Sequence, residues 1–297
     1  MDTIVFIYQL ASLKNAFSHK RTAANYCATA RALARFLHLR KRPGVDLRAL
    51  TRELIADFEH HLLCERRVCR NTSSFYLRQL RAVYNEAVRR QLCADRRLFD
   101  GVYTGVAATV KRSAKPEALK QLFELRLECR PELEFARDLF YFAFLGRGIA
   151  FVDLAKLQVS DIDGSQLTYH RSKPGQLICV DLLPAMQRII RRWHHHSHTS
   201  LFPILPPEPS ESDYATALRR YNRHLAVLTT LCRSEVNLTS YTARHSWASE
   251  AYRLGVPIQT ISECMGHTTE QTTRIYIRAL SEDFISSRLR PLVDAYN

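Results

Sequence analysis

Five residues suited to phosphate chemistry are spread between positions 147 and 276 of the sequence. Arg147 lies between glycines in the apolar stretch FLGRGIAFVDLAKL, and Arg244 lies in SYTARHSWAS among residues that are predicted to be buried. Lys173 occupies the tip of a predicted hairpin, and His267 precedes Tyr276 by nine residues in MGHTTEQTTRIY. A half-buried arginine is unfavourable unless an anion pairs with it. Together, these side chains could enclose a single phosphate.

Each of these residues also has an ordinary structural interpretation. Gly-His is a common pair in loops, and Tyr276, predicted to lie in a helix, could be a half-buried aromatic residue. A lysine at a turn is usually solvated. The rest of the sequence is therefore needed to distinguish a structural role of these residues from a catalytic one.

The positive charge of the chain is concentrated near its start. Formal net charge is +14, and residues 1–112 hold 21 Lys and Arg against 9 Asp and Glu. The remaining residues hold 22 against 20. This asymmetry predicts a polyanion partner, by default nucleic acid held through its phosphates. A solubilising surface is the alternative, but it requires no such asymmetry.

Composition indicates an ordinary globular protein, with 46% hydrophobic and 24% charged residues. The apolar runs are shorter than the roughly 20 residues that span a bilayer, and no secretory signal is recognised, so we expect a cytoplasmic protein. Eight scattered cysteines without a C-x-x-C pair are predicted to be small buried residues. The tract RRWHHHSH is predicted to be a solvated helix end and not a metal site.

Residues 1–107 are predicted to form a helical DNA-binding domain. Apolar residues at helical spacing occur in TAANYCATARALARFLHLRK, with a cap at Thr22, and in VDLRALTRELIADFEHHLLCE. A third helix, NTSSFYLRQLRAVYNEAVRR, has cap candidates from Asn71 to Ser74. Opposite its apolar stripe lies a cationic stripe suited to a DNA groove, although it could equally be a plain solvated face. The stripe consists of Arg78, Arg81, Asn85 and Arg89.

A basic linker, residues 108–116, contains Lys111 and Arg112 and separates this domain from residues 117–297. The second domain is predicted to be helical, with Pro116 beginning its first helix. Three short strand-like runs follow in LQVSDIDGSQLTYHRSKPGQLICVDLLP, separated by Asp163-Gly164 and by a Lys-Pro-Gly turn. We expect a small antiparallel sheet among helices, and there is no glycine-rich phosphate loop.

The stretch LTSYTARHSWASEAYRLGVPIQTISECMGHTTEQTTRIYIRAL resembles the C-terminal signature of tyrosine recombinases, the phage-integrase family. That signature has an H-x-x-R-H run, a Gly-His pair 23 residues after the arginine, and a nucleophilic tyrosine nine residues later. RGIAFVDLAKL and YHRSKPG look most like the branch found in Bacteroides and related bacteria. The resemblance implies a mainly α fold with a SAM-like helical core-binding domain and an α-rich catalytic domain. A three-stranded antiparallel sheet completes this DNA breaking-rejoining fold.

The resemblance also implies a role for each residue. Tyr276 would attack a DNA phosphate, giving a 3′-phosphotyrosyl link and a free 5′-hydroxyl. Arg147 and Arg244 would hold the non-bridging oxygens, and Lys173 would protonate the leaving oxygen. His267 would orient or deprotonate groups around the phosphate. Neither ATP nor a metal cofactor is implied.

Two positions depart from the family pattern. Tyr241 occupies the usual first histidine of H-x-x-R, where its hydroxyl can donate a hydrogen bond but cannot act as an imidazole base. Ala150 lies where the first arginine is expected, three residues before Asp153, so that role passes to Arg147. Asp153 is interpreted as a structural cap or as the partner that orients the arginine.

The expected function is site-specific recombination: integration, excision or inversion of mobile or phase-variable DNA. The family resemblance implies double-stranded DNA with specific core sites, a monomer free in solution and a homotetramer on synapsed DNA. The tail SEDFISSRLRPLVDAYN would dock on a neighbouring protomer. An accessory DNA-bending protein is a further candidate partner, and the expected location is the cytoplasmic nucleoid. Two alternatives stay open: a relative that binds DNA without catalysis, and a type IB topoisomerase-like relaxer without site choice.

Overall fold

The computed structural model describes residues 1–17, 19–42, 44–107, 113–173, 175–194, 199–277 and 290. The chain divides into two compact units, Met1–Thr109 and Val110–Asn297. Helices dominate both units, and the second contains a three-stranded antiparallel sheet, so the predicted fold class is confirmed. The division falls within the predicted linker, while the domain limits at residues 107 and 117 stay a prediction. Lys111, Arg112 and almost all of the C-terminal tail lie outside the described residues.

The N-terminal unit packs its helices around one apolar core. A 3₁₀ turn, Leu47–Ala49, precedes the third helix and a π-helical turn, His61–Glu65, follows it. Buried side chains at helical spacing, such as Phe36 and Leu80, form the core. The α-helices are α1 (Thr3–Ala16), α2 (Lys20–Leu39), α3 (Arg52–His60) and α4 (Arg70–Arg89).

The first helix was not predicted, because its sequence has apolar residues around much of its circumference and gives little amphipathic signal. Its start is nevertheless specified locally. The carboxylate of Asp2 accepts hydrogen bonds from the backbone N–H groups of Ile4 and Val5, as an N-cap residue does.

Two predicted helix caps are wrong. Helix α2 begins at Lys20, so Thr22 lies inside its first turn, and α4 begins at Arg70, ahead of the predicted cap residues. The Asn71 side chain instead donates to the Ala107 carbonyl at 3.0 Å and accepts from the Ala107 N–H at 2.8 Å. The polar side chain thus satisfies a distant backbone segment, which outweighs its local capping preference.

The C-terminal unit follows the predicted order of helices, strands and helices. Proline at the first turn begins α5, α6 and α8, where its missing N–H would have no helical partner. Its helices are α5 (Pro116–Glu124), α6 (Pro131–Leu145), α7 (Phe151–Leu154), α8 (Pro184–Trp193), α9 (Glu211–Leu231), α10 (Thr242–Arg253), α11 (Ile258–Cys264) and α12 (Glu270–Arg274). The strands are β1 (Ile162–Asp163), β2 (Gln166–His170) and β3 (Leu177–Asp181).

The strands lie in the order β1-β2-β3, with Leu167 opposite Val180 and Tyr169 opposite Ile178. These four side chains are buried against the helical core, and their neighbours along the strands face outwards. The period of two therefore turns Tyr169 inwards. The connection from β2 to β3 carries Lys173 at one end of the sheet.

The predicted solvated helix end at RRWHHHSH is only partly correct. Helix α8 ends at Trp193, whose indole N–H donates to Asp138 Oδ2 at 2.9 Å. Arg192 donates to the same oxygen at 3.0 Å, and Arg137 pairs with Oδ1 at 2.8 Å. This network joins α8 to α6. Residues 195–198 of the tract lie outside the described residues.

The prediction for the cysteines is wrong in part. All eight are free, but only Cys93 and Cys232 are buried, while four are exposed: Cys64, Cys69, Cys129 and Cys179. Within the described residues, no cluster of three or more His, Cys, Asp or Glu is placed to hold a metal ion. None of the helices described has the length and apolar character that crossing a bilayer requires.

Candidate active site

Arg244 lies at the centre of the site, in the first turn of α10, and is only 3% exposed. Its Nη1 donates to the Gly148 carbonyl at 2.6 Å. The approach is close because Gly148 has no side chain: a Cβ there would lie 2.8 Å from the Cα of Arg244. Gly148 also has a φ of +74°, a conformation that favours glycine. The absence of a side chain at Gly148 thus allows the loop after α6 to contact the arginine directly.

The other guanidinium nitrogen, Nη2, joins two further segments. It donates to the Met265 carbonyl at 2.6 Å and to Nε2 of His267 at 2.9 Å. Burial, and then the charge of Arg171, lower the pKa of Arg244; an arginine nevertheless stays charged at physiological pH. In the described part of the chain, its Nε–H and its second Nη1–H have no partner. Two donors therefore remain for an anion.

The hydrogen bonds of His267 define its protonation. Because Nε2 accepts from Arg244, the ring proton lies on Nδ1, which donates to Thr273 Oγ1 at 2.9 Å. Burial, followed by the charges of Arg244 and Arg171, lowers the pKa of His267 to about 4. The imidazole is therefore neutral at neutral pH, and its one lone pair, on Nε2, faces Arg244.

Tyr276 lies beyond the end of α12, so the prediction that it is helical is wrong. Its ring centroid is 5.1 Å from that of His267 at an interplanar angle of 27°, and 4.6 Å from that of His245 at 33°. The guanidinium carbon of Arg244 lies 5.6 Å from the same centroid. The predicted nucleophile, Arg244 and His267 therefore form one contiguous cluster.

Arg147 lies on the loop after α6, next to Gly148, whose carbonyl binds Arg244. Its φ of +63° is uncommon for a residue with a side chain, and its Nη1 donates to the Cys179 carbonyl on β3 at 3.2 Å. Burial, and then the charge of Asp153, raise the pKa of the Tyr169 hydroxyl to about 12, while the charges of three arginines act to lower it. Those arginines are Arg147, Arg171 and Arg244. The charges of all three guanidinium groups thus act on one buried tyrosine.

Two predicted site residues are exposed. Lys173 lies on the connection between β2 and β3, and Tyr241, 54% exposed, precedes the first residue of α10. Across the residues that the structure describes, no hydrogen bond, ion pair or ring contact joins either side chain to Arg244, His267 or Tyr276.

Arg171 was not predicted as a site residue. Its side chain is 12% exposed, its Nη1 donates to the Gly266 carbonyl, and its Nε lies 4.0 Å from Asp153 Oδ2. Asp153 is buried and accepts from the backbone N–H of Ser172 at 2.8 Å. The acidic residue therefore anchors the hairpin and faces Arg171, and it does not cap a helix. The signal for Arg171 in the sequence was its position two residues before Lys173.

The cationic stripe on α4 is partly neutralised. Arg81 is exposed and donates to Thr104 Oγ1 at 2.8 Å, while Arg78 is half-buried. Arg89 forms an ion pair with Glu86, which also binds Arg90 at 2.7 Å. The assignment of this stripe to DNA binding stays a prediction.

Replacing Gly148 by alanine is expected to destabilise the protein more than the same change at Gly164. Both glycines have positive φ, +74° and +57°, but Gly164 faces open space. The unfavourable φ costs about 1 kcal/mol at either site, and only at Gly148 is a clash with Arg244 added. Urea unfolding of the two variants measures the difference. Equal midpoints would show that the close approach to Arg244 has no energetic weight.

Two family models match the chain. The phage integrase SAM-like domain matches residues 3–98, and the phage integrase family matches residues 134–283. No curated protein matches.

The fold is similar to the folds of integrases that have been solved in complex with DNA. A lambda integrase dimer bound to a COC′ core site is 15% identical with a TM-score of 0.73, covering 95% of this chain and 97% of that one. The Tn1549 transposon integrase in complex with transposon right end DNA is 13% identical with a TM-score of 0.66, covering 99% and 100%. At such identities the likeness establishes the fold alone.

The family assignment therefore depends on the sequence models. The second match spans half of the chain, and it includes all of the residues that cluster around Arg244. The chain belongs to the phage integrase family of tyrosine recombinases.

Proposed function

We propose that the protein is a site-specific DNA recombinase that cleaves and rejoins DNA through a 3′-phosphotyrosyl intermediate. One observation carries the proposal: Arg244, His267 and Tyr276 form a single cluster. The guanidinium is 2.9 Å from His267 Nε2 and 5.6 Å from the Tyr276 ring centroid. A cation that can bind phosphate, a neutral imidazole and a phenol are the groups that a phosphoryl transfer to tyrosine needs.

In the proposed reaction, the phenolic oxygen of Tyr276 attacks the scissile phosphorus and the bond to the 5′-oxygen breaks. The phenolic proton leaves, and we assign its acceptance to Nε2 of His267, which first releases its hydrogen bond to Arg244. Lys173, exposed on the connection between β2 and β3, donates a proton from its ammonium group to the departing 5′-oxygen. The reverse attack by a 5′-hydroxyl of another strand rejoins the DNA. No cofactor is required, because the phosphotyrosyl bond that forms conserves the energy of the phosphodiester bond that breaks.

The arginines stabilise the negative charge on the phosphate. Arg244 has two N–H groups left for the non-bridging oxygens, and we assign Arg147 as the second phosphate ligand. Arg171 is held by the Gly266 carbonyl immediately before His267 and is instead assigned a positioning role. Tyr241 is proposed to donate a hydrogen bond to the phosphate when DNA is bound.

These assignments predict different responses of Arg147→Ala and Arg171→Ala to an uncharged phosphate. Loss of a phosphate ligand should slow covalent cleavage about 10²–10³-fold. A methylphosphonate at the scissile position removes the charge that the ligand stabilises, so it should partly rescue Arg147→Ala and not Arg171→Ala. The single-turnover rate of adduct formation measures both. Rescue of Arg171→Ala alone would exchange the two roles.

The DNA partner, the branch of the family and the oligomeric state are proposed on separate grounds. Double-stranded DNA with specific core sites is the proposed partner, because residues 1–112 hold 21 Lys and Arg against 9 Asp and Glu. The proposed contacts include Arg78, Arg81, Arg89 and the basic pair at 111 and 112. Ala150 at the usual arginine position supports the Bacteroides-type branch. The proposed active form is a homotetramer on synapsed DNA, assembled from monomers in the nucleoid.

Covalent capture from a randomised DNA pool tests the function. The protein is incubated with nicked duplexes whose core is randomised, and complexes that resist SDS are recovered and sequenced. We expect enrichment of one core sequence and, by mass spectrometry, a nucleotide on Tyr276. Capture without enrichment would indicate a topoisomerase-like relaxer. DNA binding without any captured complex would indicate a relative that has lost catalysis.

A further inference from the structure

We propose that His245 is a positioning residue for the nucleophile, one that fixes both the backbone and the ring of Tyr276. The inference rests on the proposed function, in which Tyr276 attacks DNA. It adds a residue that touches neither phosphate nor leaving group but sets where the phenolic oxygen lies.

The helix that leads to Tyr276 provides little support for it. Helix α12 has five residues and ends at Arg274, two residues before the nucleophile. The backbone N–H of Tyr276 still bonds to the Thr273 carbonyl at 2.9 Å. Its own carbonyl lies beyond the end of the helix and needs a hydrogen-bond donor from elsewhere in the fold.

That partner is α10. The Tyr276 carbonyl accepts from His245 Nδ1 at 3.2 Å and from Ser249 Oγ at 3.3 Å. The two donors are four residues apart and therefore lie on one face of the helix. Because a carbonyl can only accept, the Nδ1 of His245 carries a proton in this contact. The backbone of the nucleophile is thus fastened to α10 at two points.

His245 also contacts the ring that carries the reacting oxygen. The two ring centroids are 4.6 Å apart at 33°, closer than the 5.1 Å between Tyr276 and His267. One side chain therefore restrains the carbonyl and the aromatic plane together. Ser249 contributes to the first of these restraints.

The consequence for catalysis follows from the neighbour of His245. Arg244, the proposed phosphate ligand, precedes it on the same turn of α10 and is buried. One helical turn therefore sets the positions of both the phosphate and the phenol that must attack it in line. Misplacing a reacting group by about 1 Å can slow a reaction about 10²-fold.

The test separates positioning from proton transfer. His245→Phe keeps an aromatic ring and loses the Nδ1 donor, His245→Asn keeps an N–H donor and loses the ring, and Ser249→Ala removes the second donor. His224→Phe, on α9, is the matched control: this histidine is also half-buried in a helix. Each variant is assayed for single-turnover adduct formation on a nicked duplex carrying the captured core sequence. The bridging 5′-atom is either oxygen or sulfur, and a sulfur leaving group requires no proton.

We expect His245→Phe and His245→Asn to slow adduct formation about 10–10²-fold with either bridging atom, while the affinity for DNA stays within about twofold. Ser249→Ala should have a smaller effect in the same direction, and His224→Phe should match the unmodified protein. Lys173→Ala is the contrast, because sulfur should restore its rate.

Two results would overturn the proposal. Unchanged rates in all of the His245 and Ser249 variants would remove the positioning role, and rescue of His245→Phe by sulfur would assign it to leaving-group protonation instead. Thermal melting identifies any variant that does not fold, and Ser249→Ala, the smallest change, then decides. Absence of an adduct with the unmodified protein would instead overturn the proposed function itself.

Discussion

Tyr276→Phe is expected to abolish the covalent protein–DNA adduct and to leave DNA binding unchanged. The substitution removes one oxygen, and no other side-chain oxygen of this residue can attack phosphorus. It keeps the ring that contacts His245 and His267, as well as the carbonyl that α10 holds. The measurements are an SDS gel for the adduct and a titration of labelled duplex for binding.

Tyr252→Phe provides the matched control. Tyr252 and Tyr276 are both partly buried and pack against the same small apolar cluster, which includes Ala248 and Ile261. The control variant loses an equivalent hydroxyl from this cluster and should form the adduct at the unmodified rate. An adduct that persists in Tyr276→Phe would mean that another residue is the nucleophile, and the assignment of the site would fail.

The part of the site that could be predicted is the part that is local in sequence. Arg244, His267 and Tyr276 lie on α10 and on the segments that follow α11 and α12, and their spacing matches the family signature, so the resemblance predicted that they act together. The hairpin was predictable from local signals, because Asp163-Gly164 and the Lys-Pro-Gly turn specify reversals of the chain.

Arg171 could not be found in this way. Its contact with Gly266 spans 95 residues, and a basic residue at the end of a strand is ordinarily solvated. The prediction that Asn71 caps α4 failed for the same reason, because its side chain binds Ala107, 36 residues away. Tertiary contacts of this kind leave no periodic pattern in the sequence.

The end of α12 shows a further limit. The run through Tyr276 was predicted to be helical, yet the helix ends at Arg274. The Thr273 hydroxyl accepts from His267, and the Tyr276 carbonyl accepts from His245 and Ser249. These bonds to residues outside the helix replace further helical ones, and they depend on how α10 packs.

Arg244→Lys is expected to reduce adduct formation by about 10³-fold or more although the positive charge remains. Loss of one preorganised donor costs about 10²–10³-fold, and here both free N–H groups of the guanidinium disappear. A lysine ammonium is a single point and cannot reach Gly148, Met265 and His267 together. The two carbonyls would lose their donor, at about 1–3 kcal/mol for each one left buried.

The matched control is Arg253→Lys on the same helix. Arg253 has a solvent-accessible side chain and pairs with Glu250 within α10, and such surface pairs contribute about 0–1 kcal/mol. Its stability to urea and its adduct rate should therefore stay close to those of the unmodified protein. A wild-type rate in Arg244→Lys would show that charge alone suffices at this position.

Comparison with Arg244→Gln separates charge from geometry. The pKa of His267 is lowered to about 4 by burial first and then by the charges of Arg244 and Arg171. Removing one of those charges in Arg244→Gln should raise the pKa of His267 towards its ordinary 6.5, whereas Arg244→Lys should leave it low. An NMR titration of the ring protons measures this in both variants. If both variants lose the adduct while only Arg244→Gln shifts the histidine, the forked geometry of the guanidinium, and not its effect on His267, is what the reaction requires.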